Sequence, residues 1–212
     1  MFTASDFRRQ AWNSLKGKWG TAALCWLIVV LITGACAALS FFVVGGVAQL
    51  LLTGPFTLGM AGLALRVIRG FPISVEQVFE GFRDFVRALV AYLLISIFTF
   101  LWSLLFIIPG LIKAISYSMT YFILLDRPDL SANEARKLSM ALMEGHKWRY
   151  FCLMLSFLGW MLLCALTLGI LSFWVMPYME AACAAFYQDL LWRQTAQAQN
   201  IQGGAPGSWS GN

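Results

Sequence analysis

Two ionisable residues stand inside long apolar runs: Lys113, in Ile108-Pro-Gly-Leu-Ile-Lys, and Glu180, in Pro177-Tyr-Met-Glu-Ala-Ala. A charge in hydrocarbon costs at least about 2.5–3.5 kcal/mol on insertion scales. Opposite charges at similar depth are therefore expected to pair, which makes Lys113 and Glu180 the candidate intramembrane polar pair. Two roles stay open for it: a fixed ion pair that orients two helices, or a polar site that handles a proton or a small substrate. A third outcome is a Lys113 that snorkels to the interface without a partner. Ser116, Tyr117, Ser118 and Thr120 place hydroxyls beside Lys113, suited to interhelical hydrogen bonds or to lining a wet path. At another point His146, Lys147, Trp148 and Arg149 follow one another; their cations and indole suit lipid headgroups at an interface.

Other chemistries have no visible carrier. The chain has one His, and its five cysteines fall in apolar runs without a Cys-x-x-Cys spacing, so neither a metal nor another cofactor is expected. No phosphate loop, nucleophile elbow or zinc-protease motif occurs. The expectation is a protein that is not an enzyme.

The elements that must position these residues follow from composition. Of 212 residues, 60% are hydrophobic and only 12% charged, with mean hydropathy +0.73. Soluble domains carry about 25% charged residues, so the bilayer is the expected solvent. Apolar runs cover residues 20–44, 47–68, 88–108, 111–125, 150–169 and 171–191. Backbone in lipid must satisfy its own hydrogen bonds, and continuous apolar runs exclude the alternation of a barrel. The fold expected is all-α: a polytopic membrane helix bundle of about six transmembrane helices. Tight connections at Gly45-Gly46, Pro109-Gly110 and Leu168-Gly169-Ile170 would group them as three hairpins.

The polar segments carry signatures of their own. Thr3-x-x-Asp6, Ser74-x-x-Gln77 and Ser131-x-x-Glu134 are capping-box patterns, each opening an amphipathic stretch: one with Phe7, Ala11, Trp12 and Leu15, one over residues 74–89, and one with Ala135, Leu138, Ala141 and Leu142 on one face. Each is expected to be an interfacial helix with its basic side toward anionic headgroups. Residues 3–9 match 131–137 at a separation of 128, and Gly17, Gly81 and Gly145 are each 64 apart. This suggests one integral membrane domain over 1–195, with approximate repeat units 1–70, 71–128 and 129–195. Residues 196–212 are expected to form a disordered Gly-rich cytoplasmic tail. Of the 15 basic residues, all but Lys113 fall on one side of this layout. The positive-inside rule then puts both termini in the cytoplasm of a cell whose plasma membrane the chain crosses several times. The net charge of +5 is read as topology, not as a sign of nucleic acid.

The blocks Ser14-Leu-Lys-Gly-Lys-Trp19, Gly54-Pro-Phe-Thr-Leu-Gly59, Ile108-Pro-Gly-Leu-Ile-Lys-Ala-Ile-Ser-Tyr-Ser-Met119 and Gly145-His-Lys-Trp148 resemble a bacterial integral-membrane family. It is catalogued as domain of unknown function 975 and is common in Gram-positive bacteria. The resemblance covers nearly the whole chain outside the tail. The chain is also distantly similar to the non-catalytic membrane domain joined to some glycerophosphodiester phosphodiesterases. The resemblance implies a membrane protein without a known activity, so it assigns no catalytic residue. The function expected is a non-enzymatic scaffold, assembly partner or envelope-stress accessory. Its partners would be membrane lipids and a membrane protein or a second copy of the chain. The alternative is a small transporter, channel or lipid-handling protein that uses Lys113 and Glu180.

Overall fold

The structure is a computed structural model that describes residues 3–38, 43–105 and 107–203, and no strand occurs among them. In chain order the helices are α1 (Ala4–Leu15), α2 (Trp19–Ala38) and α3 (Val43–Ile68), then a 3-10 helix (Val75–Phe82). They continue with α4 (Phe85–Leu105), α5 (Ile107–Tyr117), α6 (Thr120–Asp126) and α7 (Ala132–Leu142). Last come α8 (Lys147–Leu155), α9 (Leu158–Leu166) and α10 (Ser172–Gly203). Among the described residues, five stretches are long and apolar enough to cross a membrane: Trp19–Ala38, Gln49–Ile68, Phe85–Leu104, Ile108–Asp126 and Lys147–Leu166. They mark the chain as a membrane protein. The sixth expected span, in α10, is not among them. Its apolar start gives way to Glu180, Gln188 and Asp189, and it carries Pro177 within the helix.

Two of the expected hairpin turns are helix. Gly45 and Gly46 lie inside α3, and the α2–α3 link falls on residues 39–42, outside the described residues. Without water, backbone groups are best satisfied by continuing the helix, so even a glycine pair does not have to break it. Pro109 and Gly110 lie in the first turn of α5, while the α4–α5 link falls on residue 106, outside the described residues. Proline suits the opening of a helix because the N–H it lacks would have no partner there. Leu168-Gly169-Ile170 is a turn as expected: Leu168 and Gly169 have φ of 50° and 86°, and the Gly169 N–H donates to the Cys164 carbonyl at 2.8 Å. Residues 196–203, expected to open the disordered tail, continue α10; residues 204–212 lie outside the described residues.

The capping boxes act as N-terminal signals. At Ser131 the exchange is reciprocal: the Glu134 carboxylate accepts from the Ser131 N–H at 2.8 Å, and the Glu134 N–H donates to the Ser131 hydroxyl at 3.4 Å. At Thr3 the Asp6 carboxylate accepts from both the Thr3 N–H and its hydroxyl, at 2.7 Å each. Ser74 donates its N–H to Gln77 at 3.2 Å, yet the helix that follows is 3-10 and ends by Phe82 instead of running through residue 89. Its buried residues Val78 and Gly81 are three apart, the spacing that a three-residue turn lines up. The reason is close approach: a Cβ at Gly59 would collide with the Val78 carbonyl, and one at Gly81 with the Pro55 carbonyl.

None of these segments lies loosely on the bundle. α1 buries Phe7, Ala11 and Leu15 and packs chiefly on α10, with Phe7 and Phe186 ring centroids 5.3 Å apart. α7 packs on α4, α5 and α6. Its buried positions are Ala132, Ala135, Arg136, Ser139 and Leu142, whereas Ala141, expected on the apolar face, is exposed. Phe7, Ala11 and Leu15 are each 128 residues from Ala135, Ser139 and Met143, and all six are buried. Ala22, Cys25 and Val29 of α2 stand in the same relation to Tyr150, Leu153 and Phe157. Gly17 and Gly145, which turn α1 into α2 and α7 into α8, have φ of 81° and 76°. Gly81 does not share that geometry, so the middle segment departs from the other two.

Candidate functional site

The ion pair expected between Lys113 and Glu180 is not formed. Lys113 Nζ stands 5.0 Å from the ring centroid of Trp102, a cation–π contact across the α4–α5 pair. The same two helices are locked one turn away, where a Cβ on Gly110 would collide with Ser103. Glu180 sits on α10 one turn before Cys183, whose Sγ is 3.7 Å from the Tyr150 hydroxyl. Among the described residues no ion pair includes either Lys113 or Glu180. Position along a helix sets depth, but depth says nothing about which way a side chain faces.

The serine and threonine hydroxyls near Lys113 bond to carbonyls three or four residues back along the chain. Ser116 donates to the Ile112 carbonyl at 2.7 Å, Ser118 to Ile115 at 2.8 Å and Thr120 to Tyr117 at 2.7 Å. Ser118 and Met119 fall at the break between α5 and α6, where such back-bonding supports a bent chain. The Tyr117 hydroxyl accepts from Arg136 at 3.3 Å, and the Ser116 carbonyl accepts from the Ser139 hydroxyl at 2.8 Å. These contacts tie α7 to α5.

The segment beginning at His146 divides. Trp148 is 72% exposed and stacks on Phe151, as suits an interfacial indole. Arg149, expected to face headgroups, turns inward and pairs with Asp189 at 2.9 Å. Its guanidinium lies 5.7 Å and 5.5 Å from the ring centroids of Phe7 and Phe186. His146 is half-buried, and desolvation, aided by Arg149 and Arg193, lowers its pKa below the ordinary histidine range. Lys147 is half-buried at the start of α8.

Sequence reasoning missed a set of charged ties. Asp189, with only 4% of its side chain exposed, receives both Arg149 and Arg193, the latter at 2.8 Å. Arg69, just past α3, pairs with Asp126 at the end of α6 at 2.6 Å, and the Tyr187 hydroxyl of α10 donates to the same carboxylate at 3.2 Å. Arg66 pairs with Glu80, linking α3 to the 3-10 helix. Arg87 donates to the carbonyls of Leu124, Arg127 and Leu130, which closes the end of α6. Arg136 is buried beneath Phe98, whose ring centroid is 4.2 Å away. The Asp189–Arg193 spacing of four was legible as a helical pair. The longer-range partners left no local pattern.

Among the described residues no group of three or more His, Cys, Asp or Glu could hold a metal. Five free cysteines are present, of which Cys25, Cys164 and Cys183 are buried. A cavity of about 340 Å³ is walled by Trp12, Trp19, Trp160, Trp174 and Tyr178.

Comparison with curated proteins and with solved structures gives no match. A family model described as "Protein of unknown function (DUF975)" matches residues 1–116 and 105–194. With nearly all of the membrane-spanning chain covered by that match, the protein belongs to the DUF975 family.

Proposed function

We propose that this chain is a non-enzymatic, multi-pass plasma-membrane protein that serves as a scaffold, assembly partner or envelope-stress accessory, with both termini in the cytoplasm. The observation that carries it is the use made of charge. Asp189, Asp126 and Glu80 each join separate segments through arginine, and the hydroxyls beside Lys113 bond within the bundle. Polar groups committed to holding helices together suit a frame for partners better than a path for solutes. Both termini on the cytoplasmic side require an even number of crossings, with α10 taken as the sixth; in that layout all basic residues but Lys113 fall on one side, which supports the placement. A repeated unit is supported by the matched buried positions of α1–α2 and α7–α8. The distant likeness to phosphodiesterase-linked membrane domains belongs to the same proposal, since such a domain would accompany chemistry done elsewhere.

The test is extraction of tagged full-length protein with its surrounding lipid, followed by identification of co-purifying proteins. A membrane protein recovered in constant ratio, and lost when Trp148 and other exposed residues are changed, is the expected result. Proton flux in proteoliposomes that Lys113→Met or Glu180→Gln abolishes would replace the scaffold with the transport alternative.

A further inference from the structure

The aromatic cavity between α1, α2, α9 and α10 is not used by any of the ties described. Four indoles and a phenol surround it, and no polar atom is exposed on its wall. The Tyr178 hydroxyl is turned away from the space, because it donates to the Arg8 carbonyl at 3.2 Å. Trp12, Trp160 and Trp174 form the rim, exposed by 47%, 36% and 48%. At about 340 Å³ the cavity falls within the range of small-molecule sites, about 300–1,000 Å³.

Its position and surrounding charge indicate the occupant. Trp19 opens one candidate span and Trp160 lies within another, so the cavity borders stretches apolar enough to lie in lipid. Arg9 lies one turn before Trp12 and Lys16 caps α1 one turn after it; both are exposed. A quaternary ammonium in the same aromatic box would be repelled by these cations. An anionic phosphate attached to an acyl chain meets both demands, with apolar burial for the chain and exposed basic residues about one helical turn either side of Trp12 for the phosphate. We infer that this cavity seats an acyl chain of an anionic phospholipid, with Arg9 and Lys16 holding its headgroup.

The test uses full-length protein in neutral detergent with dioleoyl phosphatidylglycerol as the probe, and retention is read by native mass spectrometry. Leu171 lines the cavity, so Leu171→Trp fills it; Leu162→Trp adds the same ring at an α9 position that is 68% exposed. Leu171→Trp is expected to weaken retention about tenfold, the loss of roughly two buried methylenes, while Leu162→Trp leaves it unchanged. Trp174→Ala removes a rim ring without adding bulk and is expected to act in the same direction, so the outcome does not hang on the folding of one variant. Dioleoylglycerol, which has the chains without the phosphate, is expected to bind more weakly. Equal retention by all variants would mean lipid held only around the bundle and would overturn the inference. Displacement of the probe by glycerol phosphate alone, or free oleate binding as tightly as the phospholipid, would overturn it too.

Discussion

α1 and α7 begin from the same local instruction and dock in different ways. Each opens on a hydroxyl residue with a carboxylate three places later, and each ends at a glycine with positive φ. Their buried positions are in register at a separation of 128. α1 fills those positions with Phe7, Ala11 and Leu15 and reaches α10 by ring contact. α7 carries Ala135 and Ser139 there, and its Arg136 and Ser139 reach α5 through hydrogen bonds. Capping chemistry decides where such a helix starts. The size and polarity of the side chains one turn further in decide what it can dock against.

Exchanging the side chains tests this contrast most severely. Phe7→Ala should cost about 3–5 kcal/mol, because a fully buried ring leaves a cavity. Ala135→Phe, which places the α1 side chain at the matching α7 position, should destabilise by about 1–3 kcal/mol through overpacking. Unfolding in mixed micelles measures both. A well tolerated Ala135→Phe would mean that α7 is held as loosely as a surface helix.

The turns should behave alike where the docking faces differ. Gly17→Ala and Gly145→Ala meet no neighbouring atom but force a side chain into left-handed backbone. Each should cost about 1–2 kcal/mol. A marked difference between the two would break the equivalence of the two segments.

Acid should loosen both helices at their starts. Hydrogen bonds from Thr3 hold Asp6 below the ordinary carboxylate range, and those from Ser131 do the same for Glu134. A depressed folded-state value gives stabilisation that is complete above the unfolded pKa and lost as pH falls through the folded one. Amide exchange at the first turns of α1 and α7 should therefore quicken on acidification. Asp6→Asn and Glu134→Gln should flatten that dependence.

Much of this plan was legible beforehand, because capping boxes, apolar runs and the turn at Gly169 are set by neighbouring residues. Pro109 was harder, since proline opens a helix as readily as it ends one and the sequence alone does not say which. The 3-10 helix departs from the longer helix its capping box predicts for a non-local reason: Gly81 has to pass the Pro55 carbonyl on another helix. Lys113 and Glu180 agree in expected depth, but Lys113 faces Trp102. The tie from Arg149 to Asp189 spans 40 residues with no local signature.

That tie also gives the most direct test of the claim that charge here holds the bundle together. Arg149→Gln, Asp189→Asn and the double variant form a cycle read by unfolding in mixed micelles. The expected result is a coupling of about 1–3 kcal/mol, with the double variant losing less than the sum of the two single changes. Additivity within about 0.5 kcal/mol would contradict the account, because the two charges would then contribute independently.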